Sequence, residues 1–467
     1  MSIRWKPRIS WRQSSVLALL KAWHPGASKD FLVGELMRGA TPLSDPLYAQ
    51  GKLGAGMVNG YRSLTQWGTI SENTTWSNAV YVSGDLELEA GRTLTIEPGT
   101  VINFAIDDTE TSGSDPARIE FIVNGYLDAR GTPSNPIVFQ GWNTGGRADW
   151  IGITVSNQST GAYFDHVIVK NAQHGIHHSA PITVRNSTIS DCDIGVRSYA
   201  DLTLRESTVT HCTNYGALIY SGTAALDLVT VSSCDQTGIN AGFPSGTPTV
   251  VADSCTISGN GMVGVCAGGG SLIIDHSTIE DNYNGVVIGL PGDDWHVRNS
   301  TVTGNNNGFV LGDLIPQEPV SPYIRECAVD GNITNGVWLS AGFCFTFSSS
   351  MNDNTIGFKL EGPQTWGVVL QSEFVRNLAG ITIDTGSRCD AWTCLIKQNS
   401  NGIAVNNDGE MILANRHNSF IRNAPYHIVN FNETIIDAVH NWWGKSTGPE
   451  PARLYGLVAY EPWDEIP

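Results

Sequence analysis

Charged residues and strong helix formers are scarce in this 467-residue chain. Only 15% of the residues are charged, whereas Gly occurs 51 times. Val, Ile, Thr, Ser and Asn are abundant, so the composition favours strands and turns over helices. Acidic residues outnumber basic ones, which gives a formal net charge of −18. This balance argues against nucleic acid as a partner, because phosphates would be repelled.

Long apolar runs and paired cysteine motifs are also missing. No stretch is long and apolar enough to span a bilayer. The basic N-terminus has only a short apolar run, from Val16 to Leu20, and we identify no signal peptide there. None of the nine Cys forms a C-x-x-C pair or a Cys/His spacing typical of zinc. Cys389 and Cys394 are the one close pair, for which we favour free thiols over a disulfide.

The chain does contain a repeat. The stretch "RNSTISDCDIGVRSY" begins at Arg185, and "RESTVTHCTNYGALIY" repeats it from Arg205. Glycines that lead an apolar run recur from Gly152 to Gly402 at intervals of 20 to 28 residues. Each unit holds three period-2 runs that are too short for helices. The pattern predicts an all-β parallel β-helix of about a dozen coils, with equivalent strands stacked about 4.8 Å apart.

A column of Asn or Cys precedes nearly all of these glycines by three or four residues. An inward Asn amide at a bend can bond its equivalents in the neighbouring coils, and Cys is a small substitute that can be buried. The alternative is a metal or redox site for the three Cys, and we favour the structural ladder. Its predicted members are Asn171, Cys192, Cys212, Cys234, Asn260, Asn282, Asn305, Asn332, Asn354, Asn377 and Asn399.

The repeats resemble the right-handed parallel β-helix, or pectin-lyase-like, superfamily. "LEAGRTLTIEPGTVINF" from Leu88 and "NWWGKSTGPEP" from Asn441 are similar to the start and end of such helices in secreted bacterial proteins. The resemblance implies a right-handed β-helix over residues 67–467, with a Trp-rich cap at about 438–467. It leaves activity open, because the superfamily contains lyases, hydrolases, epimerases, adhesins and passive spacers.

Residues 1–66 differ from the repeats and have helical spacing, with Ser28 as a predicted N-cap. His24-Pro25 and the later Gly54-x-Gly56-x-Val58-Asn59 resemble the C-terminal end of a subtilisin-like serine peptidase domain. The family's catalytic Asp, His and Ser motifs have no counterpart here, so the resemblance implies a truncated, poorly packed remnant without peptidase activity. It also implies a parent protein that is secreted or at the cell surface.

A charged column lies seven residues before most of the Asn/Cys positions. Its acidic members, Asp227, Asp253 and Asp275, should stack about 5 Å apart and could share a Ca²⁺ ion. The alternative, which we favour, is an exposed corner where Arg residues of the same column pair with the acids. The Arg members are Arg185, Arg205, Arg298 and Arg325.

Two further clusters could take part in catalysis or in metal binding. Lys170, His174 and His177 could supply a general base for a lyase or a ligand for a transition metal, although we favour ordinary surface residues. Asp293 and Asp294 could supply one acid of a glycosidase pair, for which the sequence identifies no partner. Exposed Tyr side chains could also stack on sugars.

The nearly uniform coil lengths favour a non-catalytic role. We expect a monomeric extracellular stalk or binding module whose partner is a polysaccharide or a cell-surface glycan, with no cofactor other than the Ca²⁺ considered above. The alternative is a polysaccharide lyase or glycoside hydrolase that works in a groove on the β-helix. A third hypothesis, peptidase activity, conflicts with the missing catalytic triad.

Overall fold

Three short strands per turn recur along the chain. The computed structural model describes residues 11–142, 146–242, 244–289, 294–312 and 321–466. Within these residues, strands pair in parallel with their equivalents in neighbouring turns, as Val184 does with Leu204 and Leu204 with Leu226. The chain therefore winds into an all-β parallel β-helix of about 17 turns.

The β-helix has three faces, which we call faces A, B and C. Face A consists of Gln66–Ile70, the second half of Ala79–Leu88, Glu120–Val123, Trp150–Val155, Ala172–His178, Ile194–Ser198, Tyr215–Ile219, Thr237–Ala241, Val263–Ala267, Asn284–Ile288, Asn307–Leu311, Asn335–Leu339, Ile356–Glu361, Ala379–Asp384, Asn401–Val405, Tyr426–Asn430 and Leu454–Tyr455. Face B consists of Thr74–Trp76, Thr93–Ile96, Tyr126–Arg130, Gly161–Asp165, Ile182–Arg185, Leu202–Arg205, Thr223–Asp227, Thr249–Asp253, Ser271–Asp275, Asp294–Arg298, Tyr323–Arg325, Gly342–Phe347, Thr365–Leu370, Arg388–Trp392, Glu410–Ile412, Ile436–Asp437 and Val458–Ala459. Face C consists of the first half of Ala79–Leu88, Val101–Phe104, Ile137–Gly141, Val167–Lys170, Thr188–Ser190, Thr208–Thr210, Thr230–Ser232, Thr256–Ser258, Thr278–Glu280, Thr301–Thr303, Glu373–Val375, Leu395–Lys397 and Ser419–Ile421.

The dozen coils predicted from the glycine series are too few. Gly175 lies at a bulge, where the face A strands shift register between His174 and Ile176. A Cβ atom at Gly175 would lie 2.6 Å from the carbonyl oxygen of Gly195, so this position requires glycine. The earlier strand Glu120–Val123 pairs with its neighbour without a shift. The turn at Glu120–Val123 has no such bulge, and the glycine series begins only at Gly152, so it misses the earlier turns.

The structure places the Asn column in one hydrogen-bonded ladder at the corner between faces C and A. Both the Nδ2 and the backbone N–H of Asn282 donate to Oδ1 of Asn305, at 3.1 and 3.0 Å. The ladder continues one turn beyond the predicted column, because Asn399 donates to Oδ1 of Asn423 at 3.0 Å. Side-chain or backbone donation of this kind joins Asn260, Asn282, Asn305, Asn332, Asn354, Asn377, Asn399 and Asn423.

Asn171 is not part of this ladder, which corrects the prediction. Lys170 pairs with Ser190, so Asn171 lies beside Asp191 and Ala172 beside Cys192. Asn171 adopts a φ of 64°, and its Nδ2 donates to the Gly146 carbonyl oxygen at 2.8 Å. Asn suits both an inward ladder and a left-handed corner, so residue type alone could not distinguish the two positions.

All nine Cys are free and buried, so Cys389 and Cys394 form no disulfide. Cys192, Cys212 and Cys234 occupy successive turns of the ladder corner. Burial raises the pKa of Cys192 to about 12, which keeps this thiol protonated at neutral pH. Cys192 therefore fills its position at the ladder corner as a neutral, buried side chain.

A second ladder, which the sequence analysis missed, follows the corner between faces B and C. The backbone N–H of Ser187 donates to Oγ of Ser207 at 3.1 Å, and that of Cys255 donates to Oγ of Ser277 at 3.0 Å. In the sequence, this second ladder could have been predicted from the small polar residue that recurs two positions after the charged column. The same contact is made further along by Ser277, Ser300, Cys327, Ser349, Ser372, Cys394, Asn418 and Asn441.

Between residues 11 and 64, the structure describes four short helices ahead of the β-helix: Trp11–Trp23, Lys29–Arg38, Pro46–Ala49 and Gly60–Leu64. Ser28 caps the second helix by accepting a hydrogen bond from the Phe31 backbone at 3.1 Å. The helices lie against the first turns, where the rings of Trp23 and Tyr81 are 5.5 Å apart. No helix among the described residues has the length and apolar character that a membrane crossing needs.

The C-terminal segment continues the stack. Trp442 bridges in parallel to Ser419 on one side and to Asp464 on the other. Trp443 is 3% exposed and stacks on Phe420 with ring centroids 4.8 Å apart. This segment is therefore built as a further turn, in which Trp443 packs on the turn before it.

Candidate functional site

A cluster of basic and aromatic residues lies on the outer surface of face A. His177 and Arg197 are register partners on adjacent strands, and both point outward. The Arg197 guanidinium donates from Nη2 to the Tyr199 hydroxyl at 2.8 Å. It also lies 5.4 Å from the Tyr199 ring and 5.8 Å from the Tyr220 ring, and these two rings stack 4.9 Å apart. We call His174, His177, Arg197, Tyr199 and Tyr220 the Arg197 site.

The two histidines of this site are neutral at physiological pH. The rings of His174 and His177 meet edge to face, with centroids 5.8 Å apart, and His177 is 5.5 Å from Tyr199. Burial and the positive charge of Arg197 lower the pKa of each imidazole to about 4. A neutral imidazole keeps a lone pair that can accept a proton or a hydrogen bond.

The charge of Arg197 has no protein counterion. Within the described residues, no carboxylate lies at ion-pair distance from its guanidinium. Its Nε is buried without a hydrogen-bond partner. Such an unpaired cation is unusual in a chain with a net charge of −18. A ligand carboxylate would satisfy both the charge and the free N–H.

Long connections occur in the turns that precede the Arg197 site. Residues 105–119 join face C to face A in one turn, and the described residues 146–149 lead into face A in the next. Arg118 pairs with Asp115 at 2.6 Å, and its charge also lowers the pKa of His174 after the larger effects of burial, Arg197 and His177. Arg147 reaches across later turns to Asp235 at 2.5 Å. The expected uniform coil length is therefore wrong at this end of the β-helix.

The other predicted residues of this region lie elsewhere. Lys170 ends a strand of face C, beyond the corner at Asn171. His178 points inward, is 0% exposed, and its Nδ1 is 3.0 Å from the Ala180 carbonyl oxygen. Asp294 is on face B, where its carboxylate is 2.5 Å from Nε2 of His296, while Asp293 lies outside the described residues. The structure thus unites His174 and His177 but does not bring Lys170 or Asp294 to them.

The acidic column is stacked in register, Asp227 beside Asp253 and Asp253 beside Asp275. Arg205 pairs with Asp227 at 3.0 Å, and Arg298 pairs with Asp275 at 2.7 Å. Arg cations of the same column thus neutralise both ends of the acidic run.

Within the described chain, one group of side chains has metal-ligand spacing, and it consists of Asp253, Asp275 and His276. Burial acts to raise the pKa of Asp275, but hydrogen bonds from Asn299 and Arg298 bring it below its usual value. Because Arg298 and Asn299 already satisfy this carboxylate, the column needs no Ca²⁺ to relieve repulsion between the acids.

Comparison with known proteins supports the fold. A family model described as "Right handed beta helix region" matches residues 220–357. The A-module of mannuronan C-5 epimerase AlgE6 from Azotobacter vinelandii is 14% identical with a TM-score of 0.31, and the match covers 80% of this chain and 91% of that one. The AlgE4 A-module from the same organism is 12% identical with a TM-score of 0.31, covering 82% and 88%. No curated protein matches the chain. TM-scores this low support no inference about activity, so the function has to be argued from the site.

Proposed function

We propose that this chain is an extracellular binding module that holds an acidic polysaccharide on the outer surface of face A. The observation that carries the proposal is the unpaired guanidinium of Arg197 beside the stacked rings of Tyr199 and Tyr220. Arg binds carboxylates through paired N–H donors, and aromatic rings offer flat apolar surfaces to the faces of sugars.

The overall charge of the chain also bears on where an acidic polysaccharide can bind. A net charge of −18 repels an acidic polymer from most of the surface, so productive contact depends on a local cation. Arg197 supplies that cation on the outer surface of face A. The resemblance of residues 1–66 to a peptidase domain does not bear on this site and stays a prediction.

A second candidate function is a lyase, because His174 and His177 are neutral bases next to Arg197. A guanidinium that neutralises a sugar carboxylate stabilises the negative charge formed when the neighbouring carbon loses its proton. An imidazole at this site could accept that proton. A glycosidase is less well supported, because Asp294 lies on face B and not beside the Arg197 site.

Binding to polygalacturonate, with an uncharged galactan as the control polymer, tests the proposal. We expect calorimetry to show binding to the acidic polymer only, and Arg197→Ala to weaken it about tenfold or more. The matched control is Arg325→Ala, which removes an exposed Arg from face B. Equal binding of both polymers, or equal loss in both variants, would contradict the proposal. Ultraviolet absorbance of an unsaturated product, measured in the same samples, separates the lyase from the binding module.

A further inference from the structure

A cavity of about 430 Å³ opens near the end of the β-helix. Lys397, Arg422, Lys445 and Arg453 all line it, and we call it the exit cavity. Glu450 is the one acid among its lining residues within the described chain, and both Lys445 and Arg453 pair with it. Four cations and one carboxylate leave a net charge of +3 in a chain whose total is −18.

Two of these cations have no protein counterion. In the part of the chain that the structure describes, neither Lys397 nor Arg422 has a carboxylate within ion-pair distance. Lys397 ends the last but one strand of face C, and Arg422 follows the next strand at the adjacent corner. Because they come from neighbouring turns, they present their charges to the same opening.

Buried N–H donors add to the positive lining. Trp443 is 3% exposed, and its Nε1 is buried without a hydrogen-bond partner. His427 is also 3% exposed, and its Nδ1 lies 3.1 Å from the Asn423 amide nitrogen, which donates to it. The Asn423 amide is oriented by the ladder, because its Oδ1 already accepts from Asn399 at 3.0 Å. His427 therefore carries its proton on Nε2, as a second N–H donor.

We propose that the exit cavity binds a doubly charged oxyanion, sulfate or phosphate, either free or as an ester on a glycan. Its surplus of cations exceeds what one carboxylate would balance, and the unpartnered Trp443 N–H requires an acceptor. The exit cavity is formed by the last turns of the β-helix, and the Arg197 site by early ones. This inference is independent of the proposed function at Arg197.

Calorimetric titration of the full chain with sodium sulfate and sodium phosphate tests the inference, with acetate as the singly charged control. Lys397→Thr combined with Arg422→Asn removes both unpaired cations. Thr210 and Thr303 end equivalent strands of face C, and Asn171 adopts a φ of 64° at an equivalent corner where Arg422 has 55°, so both replacements suit the fold. The matched control, Lys21→Thr with Arg92→Asn, makes the same change of charge at exposed positions.

We expect the dianions to bind and acetate not to bind. The Lys397→Thr/Arg422→Asn variant should bind sulfate about tenfold more weakly, while the control variant changes less than about twofold. Trp443→Phe keeps an aromatic ring next to Phe420 but removes the indole N–H, and should also weaken binding about tenfold. Binding of acetate as tight as that of sulfate, or equal losses in both double variants, would overturn the inference. A sulfated oligosaccharide compared with its unsulfated form then separates an ester from the free ion.

Discussion

His177 and Arg197 stand on adjacent turns of face A as register partners, and the Arg197 charge adds to burial in lowering the pKa of His177 to about 4. The imidazole is neutral at physiological pH because burial disfavours its charged form and because protonation would place a second positive charge beside Arg197. The pair thus combines a permanent cation with an uncharged base.

Replacing Arg197 with Gln should raise the pKa of His177 from about 4 towards, but not up to, 6.5, since burial remains when the charge is removed. Histidine proton shifts followed by NMR across a pH titration measure the change. His427, whose pKa of about 4 reflects burial first and Arg453 second, is the internal control and should not move. An unchanged titration of His177 would show that Arg197 does not act on it.

The stability of the protein should fall as the pH drops from about 6.5 to about 4, with His178 as one cause. Its pKa is about 4 in the folded chain, against 6.5 for an ordinary His, so the unfolded chain takes up the proton first. The difference corresponds to about 3 kcal/mol lost over this interval.

The variant His178→Ser isolates this contribution. Ser198, one turn later, donates to Ala200 at 3.0 Å just as the His178 ring contacts Ala180. Urea unfolding midpoints measured at several pH values should therefore depend less on pH in the variant. A pH dependence as steep as that of the unchanged chain would contradict the assignment to His178.

Asn305→Ala should destabilise the β-helix by roughly 1–3 kcal/mol, because it leaves the backbone N–H of Asn282 buried without an acceptor and removes one of the three acceptors of its Nδ2. Asn305→Cys is the matched variant, since Cys occupies the same column at Cys212 and Cys234, and it should cost less. Thermal unfolding of the two variants side by side checks the order. Equal losses would mean that side-chain volume, and not hydrogen bonding, sets the cost.

Gly308→Ala should destabilise the chain by about 1–3 kcal/mol through overpacking. The new Cβ would lie 2.5 Å from the carbonyl oxygen of Gly336. Gly34→Ala serves as the control, because its Cβ would meet nothing within 4 Å and Ala favours the helix by about 0.5–1 kcal/mol. Denaturant unfolding should shift in opposite directions for the two variants.

Chelation of Ca²⁺ should leave the melting temperature unchanged, because Arg205 and Arg298 already neutralise the acidic column. The variant Arg298→Ala removes the Arg partner of Asp275. Ca²⁺ should then raise the melting temperature of this variant. Scanning fluorimetry with and without EDTA compares the two proteins. A loss of stability on chelation in the unchanged chain would restore the Ca²⁺ site that the sequence suggests.

Local patterns were enough to predict the repeat and the stacking of the acidic column, since both follow from a fixed spacing along the chain. Period-2 alternation also holds at His177 and His178, of which the structure turns the first outward and buries the second. The ladder prediction was wrong for Asn171. A left-handed corner and a ladder position are one residue apart in the chain, and Asn fits both.

The Arg197 site could not be derived in this way. Arg197 belongs to a different turn from His174 and His177, and nothing in its local sequence shows that its side chain lacks a carboxylate partner. The exit cavity depends in the same manner on side chains from separate turns, Lys397, Arg422 and Arg453. Such sites are set by which turns become neighbours and by side-chain packing, neither of which is a local property.

The regular stacking of face A also fixes distances. Ten strand-to-strand steps separate Ile194–Ser198 from Tyr426–Asn430, which at about 4.8 Å per step places the Arg197 site roughly 50 Å from the exit cavity along the axis. The distance between the two sites along the β-helix axis can therefore change only by whole turns. Inserting or deleting one turn would shift the two sites relative to each other by about 4.8 Å and leave the residues of each untouched.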